Sequence, residues 1–126
     1  MIVDDDKISQ LLYKRVIENA GIAEHVISYL SAEDALKFLS EKKPGQEDLP
    51  ELIFLDINMP GMDGWDYLQE FEKLSEDVKN KVKIAMLTSS VDPEDKAKAS
   101  AYKEVIDFVE KPLTGEHASE VVEKYF

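Results

Sequence analysis

The chain has 126 residues, contains no cysteine and carries a formal net charge of −12. This length suits a single domain over residues 1–126, and the lack of cysteine excludes disulfides, thiolate metal sites and a cysteine nucleophile. A chain this acidic should be repelled by nucleic acid and by anionic membranes, so we expect direct binding to neither. No apolar run approaches the ~20 residues that span a bilayer, and acids at positions 4–6 interrupt the N-terminus where a signal peptide would be apolar, which predicts a cytoplasmic protein.

The first segment of the chain predicts a short strand followed by a helix. Residues 1–3 are apolar and predict an unusually short first strand. A first helix is predicted between Lys7 and Ala20, where four apolar residues recur at helical spacing: Ile8, Leu11, Leu12 and Val16. Asp6 is the expected N-cap of this helix, and Gly21 is a natural C-terminal stop.

The next segment predicts two strands separated by a helix and a loop. Residues 26–30 are strand-like, and Ser31 predicts the N-cap of a second helix. Residues 42–50 carry two prolines, a glycine and several charges, which predicts a loop. Residues 52–55 form a continuous apolar run that ends at Asp56, a pattern typical of a strand buried on both faces.

A turn-rich stretch over residues 58–64 leads into a third predicted helix, whose apolar residues are Tyr67, Leu68, Phe71 and Leu74. Residues 82–87 predict a fourth strand that ends at Thr88. Asp92 followed by Pro93 marks the start of a fourth helix, because proline is favoured at the first helical position.

The last segment predicts a strand over residues 105–109, which Lys111 and Pro112 end, and a helix that begins near Thr114. The inner face of that helix is predicted to carry Ala118, Val121, Val122 and Tyr125. Five strands that alternate with five helices indicate an α/β fold with a parallel sheet covered on both faces.

Polar residues stand at the carboxyl ends of four of the five predicted strands. Asp4 and Asp5 follow the first strand, Asp56 the third, Thr88 the fourth and Lys111 the fifth. In parallel sheets these ends meet at one edge, where ligands bind. Each residue alone has a structural explanation, such as a helix start or an exposed loop lysine, but their coincidence favours a functional site.

Three carboxylates at one edge would repel one another, by about 4 kcal/mol for two charges ~4 Å apart at an effective dielectric constant of ~20. A cation relieves this repulsion, and ligands that are all oxygens favour magnesium or calcium over zinc. Bound magnesium would leave room for a phosphate oxygen. Lys111 would balance the charge of a phosphoryl group, and Thr88 would donate a hydrogen bond to it. The pattern therefore predicts a pocket in which a carboxylate accepts a phosphoryl group.

Four segments give the chain, from residue 1 to residue 126, a resemblance to the receiver domain of two-component response regulators. They are residues 2–6, 55–64, 86–90 and 108–113, and the second contains Asp-x-Asn-Met-Pro-Gly-Met-Asp-Gly, which is highly specific. The resemblance implies a CheY-like, flavodoxin-like (βα)5 fold: a doubly wound five-stranded parallel sheet with strand order 2-1-3-4-5.

The resemblance also implies the roles of the acidic residues. Asp56 would accept a phosphoryl group from a sensor histidine kinase or a phosphotransfer protein. Asp5 and Asp56 would bind Mg²⁺ together with the backbone carbonyl of Asn58, and Asp4 would act through water. Mn²⁺ is a possible substitute for Mg²⁺. The domain would be a switch that catalyses only its own phosphorylation and autodephosphorylation.

The remaining implied roles concern the response to phosphorylation. Thr88 would close onto the phosphoryl group, Lys111 would pair with it, and Phe108 matches the switch aromatic that turns inward after Thr88. Asn58 and Ser90 stand where the family tunes hydrolysis of the acyl phosphate. The face built from helix four, strand five and helix five would bind a downstream protein. Two departures lie near this face: Phe108 lacks the hydroxyl of the commoner tyrosine, and a Lys-Glu pair at 103–104 replaces a Gly-Ala turn.

Two other functions are weighed against this one. In a phosphatase of the haloacid dehalogenase type, Asp4 would be the nucleophile and Asp6 the acid/base. The late second acidic pair of those enzymes is absent, and 126 residues leave little room for their cap domain. In a receiver-shaped interaction module that is never phosphorylated, the full set of acceptor, metal-binding and closing residues would serve no purpose. A free-standing receiver is the simplest expectation, and a fragment of a larger regulator or hybrid kinase stays open.

Overall fold

A computed structural model describes residues 1–41, 49–89 and 91–126. Five strands form one sheet in the order β2-β1-β3-β4-β5, and all the strand pairs are parallel. The predicted fold class and strand order are therefore confirmed. Most of the loop predicted over residues 42–50 lies outside the described residues, as does Ser90.

The strands have unequal lengths, from two residues in β1 and β2 to six in β4 and β5. Their bounds are β1 Ile2–Val3, β2 Ser28–Tyr29, β3 Leu52–Asp56, β4 Lys83–Thr88 and β5 Val105–Glu110. The second strand is thus shorter than the run predicted over residues 26–30. A parallel ladder joins β1 to β2 over only two residue pairs, whereas β3 and β4 pair over five.

The described part of the chain contains six helices rather than five. Their bounds are α1 Lys7–Ala20, α2 Ala32–Ser40, α3 Gly64–Phe71, α4 Glu76–Lys81, α5 Pro93–Ala99 and α6 Gly115–Tyr125. The additional helix, α4, was missed because Val78 is its only buried apolar residue and a single residue shows no period. Leu74, which was expected on α3, lies between α3 and α4. None of the described helices is long and apolar enough to cross a membrane.

The helix ends follow the local sequence closely. The side chains of Asp6, Ser31 and Asp92 accept hydrogen bonds from the first turns of α1, α2 and α5, as predicted for N-caps. Gly21 ends α1 at a φ of 67°, a left-handed conformation that glycine adopts without a steric penalty. These caps satisfy backbone groups that a helix end would otherwise leave unpaired.

Two apolar layers cover the sheet. Buried residues of α2, α3, α4 and α5 pack on one face, and buried residues of α1 and α6 pack on the other. Along β3, Ile53 and Leu55 belong to the first layer and Phe54 belongs to the second. The central strand is therefore buried on both faces, as its continuous apolar run predicts. Trp65 packs into the first layer at the start of α3.

The buried residues of α1 and α6 differ in part from the apolar residues that helical spacing picks out. Gln10, Tyr13 and Ile17 form the buried face of α1, whereas three of its apolar residues are exposed: Ile8 (69%), Leu11 (65%) and Leu12 (55%). Tyr125, which was expected on the inner face of α6, is also exposed, while Ala118 and Val121 are buried as predicted. Helical period predicts that a helix forms, but packing decides which side of it meets the sheet.

Candidate functional site

The parallel sheet brings four strand ends to one edge. Asp4 follows β1, Asp56 is the last residue of β3, Thr88 is the last residue of β4, and Lys111 follows β5. The register places Asp56 opposite Leu87, one residue before Thr88, so the ends are level across the sheet. The convergence predicted from the strand ends is confirmed.

Three carboxylates form a compact acidic cluster at this edge. Asp4, Asp5 and Asp56 each offer one oxygen, and these oxygens all lie within 4.8 Å of one another. Asp4 and Asp56 are buried, whereas Asp5 is exposed, so the cluster opens to solvent on the side of Asp5. A buried pair with one exposed member suits a ligand that arrives from solvent.

Lys111 supplies the positive charge that contacts the cluster. Its Nζ lies 3.0 Å from Asp56 Oδ1 and 3.3 Å from Asp4 Oδ2. Its backbone N–H donates to the carbonyl of Thr88 at 2.7 Å, which fixes the start of the loop after β5 against the end of β4. The Lys111–Pro112 peptide bond is cis.

The backbone of the loops orients the two buried carboxylates. The Asp6 N–H donates to Asp4 Oδ1 at 3.0 Å, and the Asn58 N–H donates to Asp56 Oδ1 at 3.2 Å. Asp4 Oδ2 is buried, and the partner it has among the described residues is the Lys111 ammonium group at 3.3 Å. Three acids therefore face one ammonium group, and the oxygens that remain fit a hard cation such as Mg²⁺.

Burial and the pairing of opposite charges act in opposite directions on the pKa of each of the two central groups, Asp56 and Lys111. Burial raises the pKa of Asp56, the Lys111 ammonium lowers it, the Asp4 carboxylate raises it further, and the net direction is upward. Burial alone would lower the pKa of Lys111, but its hydrogen bond to Asp56 and the charges of both carboxylates outweigh that effect and raise it. Lys111 therefore stays positively charged beside the acids.

The other predicted site residues lie at different distances from this cluster. Thr88 is buried at the end of β4, and Asn58 is exposed in the loop after β3. Phe108 lies half-buried in β5, opposite Met86 and two residue pairs before the pair that contains Thr88. Ser90 lies outside the described residues, so its role stays a prediction.

The Asp6 side chain caps the N-terminus of α1. Its carboxylate accepts from the Ile8 N–H at 3.0 Å and from Ser9 Oγ at 2.9 Å. The hydrogen bond from the Ser9 hydroxyl and then that from Ile8 lower the pKa of Asp6. A carboxylate held ionised in this way is poorly suited to the acid/base role of the dehalogenase hypothesis.

Sequence reasoning missed Gln10, whose side chain donates to the backbone carbonyl of Asp4 at 3.0 Å, and the need for glycine at position 64. Gln10 is a polar side chain on the buried face of α1, in line with Tyr13 and Ile17. A polar residue in phase with that buried face was the available signal, but the more regular apolar stripe on the opposite side hid it. A Cβ on Gly64 would lie 2.8 Å from Ile57 Cα, so the turn after β3 requires glycine for space.

Known proteins resemble the chain in sequence and fold. The family model of the response regulator receiver domain matches residues 1–123. A hybrid signal transduction histidine kinase L of Dictyostelium discoideum is 32% identical over 99% of this chain, which spans 7% of that kinase. A two-component response regulator of Cytophaga hutchinsonii is 35% identical, with a TM-score of 0.87 over 98% of this chain and 92% of that one.

A third comparison shows the fold alone. The receiver domain of a Pseudomonas aeruginosa sensor histidine kinase, whose crystal structure has a magnesium ion coordinated in the active site cleft, is 16% identical, with a TM-score of 0.77 over 98% of this chain and 93% of that one. None of these likenesses supports the dehalogenase hypothesis. The match over residues 1–123 shows that this chain belongs to the response regulator receiver domain family, the phosphoacceptors of two-component signalling.

Proposed function

We propose that residues 1–126 act as one receiver domain and that Asp56 is its phosphoacceptor. One observation carries the proposal: the Asp56 carboxylate ends the central strand β3, with Asp4 and Asp5 on one side and Lys111, 3.0 Å away, on the other. An Asp56 oxygen would attack the phosphorus of a phosphohistidine and form an acyl phosphate, while the P–N bond breaks and the imidazole leaves. The domain would catalyse only this transfer and the later hydrolysis.

Receiver domains bind Mg²⁺ at an acidic pocket, and we propose that Asp5, Asp56 and the backbone carbonyl of Asn58 hold it here, with Asp4 acting through water. The three carboxylate oxygens within 4.8 Å of one another support this ligand set. Bound Mg²⁺ would supply positive charge that lets an anionic phosphoryl group approach an anionic nucleophile. Mn²⁺ would bind the same oxygen ligands.

Residues at the neighbouring strand ends would contact the phosphoryl group and respond to its charge. Lys111 would move from pairing with the carboxylates to pairing with the phosphoryl oxygens, and Thr88 would donate its hydroxyl to them. Phe108 would follow Thr88 inward. Asn58 and Ser90 would tune how quickly the acyl phosphate hydrolyses.

The surface of α5, β5 and α6 is our proposed binding face for a downstream protein. A shallow groove between α5 and β5 is lined by Lys96, Ala99, Ile106 and Phe108, among others. Because Phe108 both lines this groove and belongs to the proposed switch, its inward movement would reshape the surface. Phosphorylation would then shift the population between two forms of the groove.

The phosphodonor, a kinase or a phosphotransfer protein, would dock across α1. A stripe at spacing i, i+3, i+4 and i+7 is exposed on this helix: Ile8, Leu11, Leu12 and Arg15. The stripe begins three residues after Asp5, so a partner that brings a phosphohistidine to Asp56 would cover it. Exposed apolar residues at helical spacing fit a helical partner surface.

Labelling with acetyl phosphate tests the acceptor. We expect the wild-type chain to gain an acid-stable, hydroxylamine-sensitive phosphoryl group in the presence of Mg²⁺, and Asp56→Asn to gain none. The control is Asp63→Asn, a capping acid of α3 outside the cluster, which should keep the label. A label that survives Asp56→Asn and disappears with Asp4→Asn would contradict the proposal.

A further inference from the structure

Gln10 joins α1 to the ends of two strands. Its side chain is almost fully buried, and its Nε2 lies 3.0 Å from the carbonyl oxygen of Asp4, 2.6 Å from that of Tyr29 and 3.3 Å from that of Ile2. The Tyr29 carbonyl ends β2, the Asp4 carbonyl follows β1, and the Ile2 carbonyl lies within β1. One side-chain amide therefore contacts the backbone from which the acidic cluster begins.

The orientation of this amide is dictated by its surroundings. Backbone carbonyls only accept hydrogen bonds, so three of them can face the NH₂ group of Gln10 but not its oxygen. The opposite atom, Oε1, is buried and has no hydrogen-bond partner among the residues that the structure describes. An unpaired buried carbonyl is destabilising, and an apolar side chain would avoid it. The amide therefore serves the three backbone carbonyls, and its unpaired oxygen lowers the net gain in stability that these contacts bring.

The contact with the Asp4 carbonyl has a direct consequence for the acids. That carbonyl belongs to the peptide group that links Asp4 to Asp5, so its direction fixes how both side chains leave the backbone. The N–H of Asp4 donates to the Tyr29 carbonyl at 3.2 Å. Asp4 is thus held on both sides, by β2 through its N–H and by Gln10 through its C=O.

Besides Gln10, this corner of the sheet is held by the pairing of β1 with β3 and by the Asp6 N–H and the Lys111 ammonium group, which both contact the Asp4 side chain. β1 and β2 have two residues each, so few ladder hydrogen bonds fix their carboxyl ends. The turn from β1 to α1 spans only residues 4–6. In so short a turn, a change in one peptide plane moves the carboxylates that follow it.

We propose that Gln10 is a positioning residue that holds the Asp4–Asp5 peptide so that both carboxylates face a divalent cation. The inference rests on the proposed magnesium site. It says that Gln10 fixes the orientation of the Asp4 and Asp5 carboxylates in the metal-free protein. Because its NH₂ group is engaged by backbone carbonyls, Gln10 would contact neither the ion nor the phosphoryl group. Its effect should therefore appear in metal affinity rather than in the chemical step.

Calorimetric titration of the metal-free chain with MgCl₂, well below the unfolding temperature, measures this effect. Gln10→Met keeps the length of the side chain and removes both donors, and we expect the Kd for Mg²⁺ to rise about tenfold, as is usual when a group that orients a metal ligand is lost. Ile17→Ala is the matched control: it lies on the same buried face, lowers stability by opening a cavity and should leave the Kd unchanged.

Two further measurements test the proposal independently of whether Gln10→Met folds. Gln10→Asn keeps the amide but shortens its reach, and it should also raise the Kd. In the wild-type chain, the Gln10 side-chain NH₂ protons should exchange slowly with solvent in NMR spectra. At saturating Mg²⁺, labelling of the Gln10 variants by acetyl phosphate should return to within about twofold of wild type, since only the affinity is changed.

The outcomes separate this inference from the proposed function. A wild-type chain that binds no Mg²⁺ would overturn the proposed metal site itself. Wild-type binding with an unchanged Kd in the Gln10 variants, an equal rise in Ile17→Ala, or fast exchange of the Gln10 amide protons would overturn only the positioning role.

Discussion

Gly64 shows how a single missing side chain shapes the turn that carries Asp56. A Cβ at this position would lie 2.8 Å from Ile57 Cα and 3.0 Å from the carbonyl oxygen of Asp56, and both contacts are with backbone. The Gly64 N–H also donates to the Ile57 carbonyl at 2.9 Å. We expect Gly64→Ala to lower the free energy of unfolding by about 1–3 kcal/mol, measured by urea denaturation, because the backbone has to shift.

The same shift should displace the acceptor carboxylate and slow labelling of Asp56 by acetyl phosphate. Gly115→Ala is the control, because a Cβ there meets no atom closer than 3.8 Å, the carbonyl oxygen of Val16. Gly115 begins α6, so alanine should be neutral or stabilising by up to about 1 kcal/mol. Equal effects of the two substitutions would show that the close approach at Gly64 is unimportant.

At the scale of elements, the residue just before β5 carries a carboxyl group that is buried inside the protein. Glu104 is fully buried, and neither of its side-chain oxygens makes a hydrogen bond of normal geometry within the described residues. Burial and then the neighbouring Glu72 raise the pKa of Glu104. Glu72 itself has a lowered pKa, first through the Glu104 carboxyl group and then through Lys79, whose Nζ lies 3.3 Å away. The pair therefore favours a proton on Glu104 and a charge on Glu72.

The raised pKa of Glu104 predicts how stability depends on pH. Because the folded chain binds this proton more tightly than the unfolded chain, the stabilising contribution is complete below the ordinary pKa of 4.5 and is lost as pH rises through the folded value. Glu104→Gln keeps a donor towards Glu72 and removes the charge. We expect it to raise the free energy of unfolding by about 1–3 kcal/mol at pH 7, with the gain vanishing below pH ~4.

Chemical denaturation at several pH values checks this expectation, with the exposed Glu123→Gln of α6 as control. A gain that is constant across pH, or that appears equally in the control, would contradict it. The Lys-Glu pair at 103–104 stood out in the sequence only as a departure from a Gly-Ala turn. The structure shows that the departure places an acid in the interior rather than on the surface.

How far the sequence predicts an element depends on whether the element is decided locally. The N-caps at Asp6, Ser31 and Asp92 were predicted correctly, because a cap is a contact between neighbours in the chain. The convergence of the strand ends was also predictable, because parallel topology fixes it. The buried face of α1 and the role of Gln10 were not, since both depend on contacts with β1 and β2 that local pattern does not contain.

At the scale of the whole molecule, charge and apolar surface are unevenly distributed. The chain has 27 acidic and 15 basic residues, yet α1 contains Lys7, Lys14 and Arg15 and only one acid, Glu18. The same helix exposes three large apolar side chains on the side away from the sheet. The acidic cluster therefore lies beside a basic and apolar helix, whereas the proposed output groove lies across the sheet between α5 and β5. Donor and target would bind different faces.

This separation predicts that docking and chemistry can be disrupted independently. We expect the double substitution Ile8→Gln and Leu11→Gln to slow phosphotransfer from a phosphorylated histidine phosphotransfer domain about tenfold, since two apolar anchors that together contribute about 1.4 kcal/mol to an interface account for a factor of ten. Labelling by acetyl phosphate should stay unchanged, because a small donor needs no docking surface. Glutamine preserves helix propensity, so the fold should not be weakened.

Tyr125→Gln on α6 is the matched control, because it also removes an exposed apolar side chain but lies outside the α1 stripe. Rates measured with the protein donor and with acetyl phosphate, side by side, distinguish the possible explanations. If both rates fall together in the α1 variant, the stripe acts on the acidic cluster rather than on a partner. If neither falls, the donor docks elsewhere, and the exposed residues of α1 need another explanation.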